Sequence, residues 1–149
     1  MLKEGDKAPG FELADDAGET FRLADHLGQK LLLVFYPGDD TPVCTRQLCD
    51  YRDGIEAFAG LGVTVIGISN DSVESHRKFK HKHSLPFTLL SDPDLAVAER
   101  YDSKGMLGVI FRKAQNKISN PSDLHRVIKM IADEDWSGMD VDSQPALAA

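Results

Sequence analysis

Two apolar runs constrain this chain more than any other feature. Leu31-Leu32-Leu33-Val34-Phe35-Tyr36 contains no polar residue and stops at Pro37-Gly38. A strand of that kind offers no face to water and has to be covered on both sides. Val63-Thr64-Val65-Ile66-Gly67-Ile68 reads as a second buried strand. Between the two, Thr41-Pro42 supplies an N-cap hydroxyl followed by a proline suited to the first helical position. Leu48, Tyr51, Ile55 and Phe58 then recur at spacings of three and four, which predicts a helix from about Pro42 to Ala59, ended by Gly60 and Gly62. Strand, helix and strand joined by short connections predict a right-handed parallel crossover. The fold class is therefore α/β, with helices layered on a sheet.

The flanking segments extend this pattern. Phe11-Glu12-Leu13 and Thr20-Phe21-Arg22-Leu23 alternate around Asp15-Asp16-Ala17-Gly18 and predict a hairpin with one buried face. Asp25 to Gly28 reads as a helical turn or loop. A helix over about Ser72 to His83, a strand at Phe87-Thr88-Leu89-Leu90 and a helix over about Asp94 to Tyr101 follow. Val109-Ile110-Phe111 is too short to predict a strand, and Arg112 to Ser119 is polar. Asn120-Pro121-Ser122-Asp123 has the form of a helix start, and Leu124, Val127, Ile128 and Ile131 form an apolar stripe for a last helix.

With 149 residues the chain is sized for one domain, expected over 1–132. The formal net charge is −7, but five acidic and no basic residues lie beyond Ala132. The acidity thus belongs to an expected disordered tail, 133–149, and the domain is almost neutral. That balance argues against nucleic-acid or membrane partners. No apolar run approaches the roughly 20 residues of a membrane span, and the start lacks the basic-then-apolar layout of a signal peptide. The expected location is the cytoplasm.

Cys44 and Cys49 are the only thiols, and both fall on the helix after the first buried strand. Two thiols without regularly spaced histidines leave zinc short of ligands, so neither a metal nor a cofactor is expected. In the first helical turn, free backbone N–H groups and the positive end of the helix dipole favour a thiolate at Cys44. On one unbroken helix the two Cα atoms lie ~8.6 Å apart and ~140° around the axis, whereas a disulfide needs less than ~7 Å. An internal disulfide therefore requires the first turns of the helix to unwind. Thr41 serves as an N-cap, and its hydroxyl, the N–H groups of Val43 and Cys44 and the Cys44 sulfur can converge on one small polar ligand, with Pro37 and Pro42 limiting water. A substrate that small, attacked by sulfur, points to a peroxide O–O bond, with Cys49 condensing with the resulting sulfenic acid.

These residues also carry a family resemblance. Pro37-Gly38-Asp39-Asp40-Thr41-Pro42-Val43-Cys44 resembles the peroxiredoxin signature Pro-x-x-x-Thr-x-x-Cys. Cys44-Thr45-Arg46-Gln47-Leu48-Cys49 is similar to the bacterioferritin comigratory protein subclass, or Q type, whose resolving cysteine follows the peroxidatic one by five residues. Gly5 to Leu13 and Leu89-Leu90-Ser91-Asp92-Pro93 resemble further segments of that family. The resemblance implies a thioredoxin-like fold of three layers, a central mixed sheet flanked by helices. It implies reduction of hydrogen peroxide and organic hydroperoxides, with thioredoxin or a similar dithiol as reductant; a monomer or weak homodimer is expected. It makes Cys44 peroxidatic, Cys49 resolving, Thr41 the peroxide-orienting hydroxyl and Pro37 the shield. Gln47 matches a position whose side chain helps hold an active-site arginine.

The resemblance covers about residues 3–108. Peroxiredoxins of this kind continue with an arginine, a Thr-Phe-x-Ile-Asp strand, a glycine turn and another strand. No such pair is legible here, and Arg112, in Ile110-Phe111-Arg112-Lys113, is the nearest arginine. The C-terminal strands are accordingly expected to be incomplete, with a divergent or frameshifted ending that would expose a sheet edge. Two other functions stand beside a peroxidase: a catalytically impaired scaffold or holdase-like oligomer, and a disulfide reductase, disfavoured by the four residues between the cysteines. The basic run containing His76, His81 and His83 is expected to be a solvated helix face rather than a metal site, and Asp39-Asp40 is expected to face solvent.

Overall fold

The computed structural model describes residues 9–26, 29–101, 108–111 and 117–118. In chain order these form β1 (Glu12–Asp15), β2 (Thr20–Arg22), a 3-10 turn (Leu23–His26), β3 (Lys30–Phe35), α1 (Pro42–Asp53), α2 (Ile55–Gly60) and β4 (Val63–Ser69). Then come α3 (Val73–His83), β5 (Thr88–Ser91), α4 (Ala96–Arg100), β6 (Gly108–Phe111) and β7 (Lys117–Ile118). The strands make one mixed sheet in the order β2-β1-β5-β4-β3-β6-β7. β3 runs parallel to β4, and β4 parallel to β5, while the outer pairings are antiparallel.

The first apolar run behaves as its composition demands, because every residue from Leu31 to Tyr36 is buried. Leu32, Val34 and Tyr36 join Cys44, Leu48, Tyr51, Phe58, Val65 and Phe79 in the core beneath α1, α2 and α3. Leu31, Leu33 and Phe35 face the opposite side, with Phe11, Phe21, Ile66, Ile68, Val97 and Tyr101. Alternation along one strand thus feeds two cores, and the sheet forms the middle of three layers. The thioredoxin-like architecture expected from the sequence is the one observed.

Two elements differ from expectation. The helix predicted over 42–59 is two helices, broken at Gly54. The Gly54 N–H closes α1 on the Asp50 carbonyl, and the Gly54 carbonyl accepts from Ala57 and Phe58 to open α2. The apolar spacing runs through this break because α2 still buries Phe58, whose ring stacks on that of Tyr51.

The second difference is at the C-terminal side, where the sequence showed no strand pair. β6 lies antiparallel on β3, from Leu32 opposite Phe111 to Phe35 opposite Gly108, and β7 continues the sheet beyond β6. The open edge of β3 is therefore covered. Four and two residues are too few to stand out as alternating strands in a sequence. Their backbone groups pair because β3 already presents a row of unpaired donors and acceptors. Arg112, the expected helix near 120–132 and the acidic tail lie outside the described residues. No helix of the described residues is long and apolar enough to cross a membrane.

Candidate active site

The site is assembled where β3 ends and α1 begins. After Tyr36 the chain turns through Pro37-Gly38-Asp39-Asp40, with Asp40 in the left-handed region at φ 59°. Thr41 is extended at φ −76°, ψ 142° and caps α1, with Pro42 opening the helix. The Thr41 hydroxyl oxygen accepts from the Cys44 N–H at 3.4 Å and donates to the Gly38 carbonyl at 3.2 Å. Its proton is thereby aimed back into the loop and its lone pair toward the turn that carries the sulfur. Cys44 is only 2% exposed. Cys49, on the same unbroken helix, is half-buried, and both thiols are free.

The other expected residues lie in the preceding loop and on α1. Pro37 is exposed at the mouth of the loop, and Gln47 is buried on α1. Gln47 is hydrogen-bonded to Tyr51, whose phenol is pushed up by burial while that hydrogen bond opposes the shift. The structure thus brings Thr41 and Cys44 into one turn, with Gln47 a turn further along.

A second group, which the sequence reading placed in solvent, sits directly behind the loop. The Asp39 side chain is 3% exposed and that of His76 0% exposed, with His76 Nδ1 2.9 Å from Asp39 Oδ2. Tyr36 donates its hydroxyl proton to Asp39 Oδ1 at 2.7 Å, and Ser75 donates to Oδ2 at 2.8 Å. The Asp39 N–H donates to Asp71 Oδ2 at 2.7 Å, and the same oxygen accepts from the Ser69 hydroxyl. Burial raises the Asp39 carboxyl, but hydrogen bonds from His76 and Tyr36 outweigh it and hold the group below its ordinary value. Burial, and then the Asp39 carboxylate, push the Tyr36 phenol well above its ordinary value.

The solvated-face expectation therefore fails for His76 and for Asp39, and in part for His83, whose half-buried ring packs edge-on against Phe79. It holds for His81 and Lys82, which are exposed, and for Asp40, whose exposed carboxylate pairs with Lys82 at 3.1 Å. The missed signal was spacing: His76 lies three residues before Phe79, on the stripe that α3 turns toward the core. Among the described residues, Asp39, Asp71 and His76 bring possible metal-ligand atoms within 4.8 Å of one another. Those atoms already serve the hydrogen bonds just described, so the cluster works as a polar brace.

Comparison with known proteins identifies the family. The sequence profile of the AhpC/TSA family matches residues 4–119. The chain is 52% identical over 101 residues to "Peroxiredoxin Bcp" of Bacillus subtilis (strain 168), covering 68% of this chain and 64% of that protein. It is 51% identical over 100 residues to "Putative peroxiredoxin bcp" of Coxiella burnetii, covering 67% and 66%. The chain thus spans slightly less than two thirds of the length of these curated relatives. The crystal structure of Peroxidoxin BcpB from Mycobacterium tuberculosis superposes with a TM-score of 0.77 at 30% identity, covering 91% of this chain and all of that one. With most of its length matched in sequence and its architecture shared, the chain belongs to the AhpC/TSA family.

Proposed function

We propose that the protein is a thiol peroxidase in which Cys44 is the peroxidatic cysteine and Cys49 the resolving one. The observation that carries this reading is the turn at Thr41. A buried sulfur and a hydroxyl with a fixed direction share the first turn of one helix, where the positive end of the helix dipole favours negative charge. The Cys44 thiolate attacks one oxygen of the peroxide, the O–O bond breaks, and the departing oxygen takes a proton and leaves as water or an alcohol. Sulfur gains the oxygen as a sulfenic acid. The Thr41 hydroxyl orients the peroxide, while Pro37 and Pro42 limit access of water to the sulfur.

The Cys49 thiol then attacks the Cys44 sulfur, forming the disulfide and releasing water. Because α1 holds the two Cα atoms ~8.6 Å apart, this step needs the first turns of α1 to unwind. Thioredoxin or a similar dithiol reduces the disulfide and lets the helix re-form, and the enzyme works in the cytoplasm as a monomer or weak homodimer. The scaffold reading drew on the departure of the C-terminal part from the family; β6 and β7 cover the edge of β3 that it left open, and light scattering without peroxide turnover would favour it.

Intact mass after mixing reduced protein with less than one equivalent of hydrogen peroxide tests the reading. The parent should rapidly lose two hydrogens, Cys49→Ser should hold a sulfenic acid, and Cys44→Ser should not react quickly. A parent no faster than free cysteine would overturn it.

A further inference from the structure

The buried group behind the loop has a chemistry that the peroxidase steps do not use. His76 Nε2 lies 3.0 Å from the Leu90 carbonyl oxygen, and Nδ1 lies 2.9 Å from Asp39 Oδ2. A carbonyl and a carboxylate can only accept. Nor can Tyr36, 3.3 Å from Nδ1, supply the missing proton, because its single one goes to Asp39 Oδ1 at 2.7 Å. Each ring nitrogen must therefore donate, which requires the imidazole to carry both protons. The positive ring is matched by the Asp39 carboxylate, so α3 and the loop meet through a buried ion pair.

Such a pair is a poor source of net stability, since desolvation offsets most of the attraction. It is well suited to fixing a direction. Asp39 is held by its side chain to α3 through His76 and Ser75, and by its backbone N–H to Asp71 at the end of β4. The peptide that leads into Asp39 carries the Gly38 carbonyl, and that carbonyl accepts the Thr41 hydroxyl proton. Asp40, at φ 59°, reverses the chain between the two. A continuous set of contacts thus runs from the His76 ring through Asp39 and the Gly38 carbonyl to Thr41, and from Thr41 to the Cys44 N–H.

We propose that His76 is a positioning residue for the reaction: a doubly protonated imidazole that, through Asp39, holds the Gly38 carbonyl which aims the Thr41 hydroxyl beside Cys44. This rests on the peroxidase reading, and it adds that α3 supplies a fixed reference for a site built on β3 and α1. It also separates the segment that must stay still, residues 36–39, from the turns of α1 that must unwind for the disulfide.

The test combines a double-substitution cycle with a spectrum of the parent. Cys44 oxidation by hydrogen peroxide is timed in the parent, His76→Gln, Thr41→Val and the double variant, each confirmed as folded by circular dichroism. Since misorientation by about 1 Å can cost two orders of magnitude, His76→Gln should slow oxidation by about ten-fold or more, and by less than about two-fold once Thr41 is already valine. An equal loss in both backgrounds, or a lower unfolding midpoint with an unchanged rate, overturns the proposal. In the parent at neutral pH, nitrogen-15 correlation spectra should show protons on both His76 ring nitrogens, and one bare nitrogen overturns it. Should the parent fail to react with peroxide, the functional reading falls, and amide exchange decides the brace separately. Faster exchange at residues 39–45 in His76→Gln, or in Asp39→Asn if that variant folds better, supports it, and unchanged exchange removes it.

Discussion

In the proposed mechanism Thr41 occupies one position and meets two demands. Helix initiation needs a side-chain acceptor for an unpaired N–H, and peroxide chemistry needs a hydroxyl of fixed direction beside the sulfur. The same oxygen serves both because Cys44 is the residue whose N–H it accepts. Thr41→Val should lose the cap and the hydroxyl together, costing about 1 kcal/mol in urea unfolding and slowing Cys44 oxidation. Thr41→Ser should keep most of both, a contrast readable by stopped-flow oxidation beside denaturation. Asp39 carries a pH prediction. Its carboxyl lies below the ordinary value in the folded protein, so the folded state binds fewer protons there than the unfolded one. The stability it contributes is fully present above about pH 4, the unfolded carboxylate value, and is lost as pH falls through the folded value. Urea midpoints between pH 3 and 7 should decline more steeply toward acid in the parent than in Asp39→Asn. At this scale the sequence revealed the cysteines and Thr41 through local spacing, but not the Asp39–His76 pair, whose members are 37 residues apart.

At the scale of elements, β4 shows how closely the site's support is packed. Gly67 lies between Val34 of β3 and Leu89 of β5. A methyl group there would sit 2.7 Å from Leu89 Cδ2 and 3.3 Å from Tyr36 Cε1. Tyr36 is the residue whose hydroxyl reaches Asp39, so bulk at position 67 pushes on the brace as well as on the sheet. Gly67→Ala should destabilise the protein by about 1–3 kcal/mol, measured by denaturant titration. The α1 helix makes the opposite kind of prediction, since it must open for the disulfide to form. On oxidation, amides from Cys44 to Cys49 should lose protection in hydrogen exchange while those of α3 keep theirs. Helix, strand and cap were readable from periodicity because each is decided within a dozen residues. The break at Gly54 was not, because the apolar spacing continues through it.

For the whole molecule, the three-layer arrangement follows from β3, which has to be covered on both faces and is. Its remaining edge is covered by β6, itself paired with β7. Ile110→Pro should break that ladder at a strand bonded on both sides and lower the urea midpoint. The freed edge should also promote association, visible as a larger species in size-exclusion chromatography with light scattering. The sequence by itself determined the α/β class, the two-sided burial of the central strands, the helix start at Thr41 and the placement of both thiols, because each follows from contiguous apolar runs or from capping chemistry. Only the tertiary structure decided that Gly108–Phe111 is a strand, that α1 ends at Asp53, and that a histidine in a basic run is buried against an aspartate in the loop before α1. Those outcomes depend on which backbone edges and polar side chains meet across long separations in the chain, and local pattern does not contain that information.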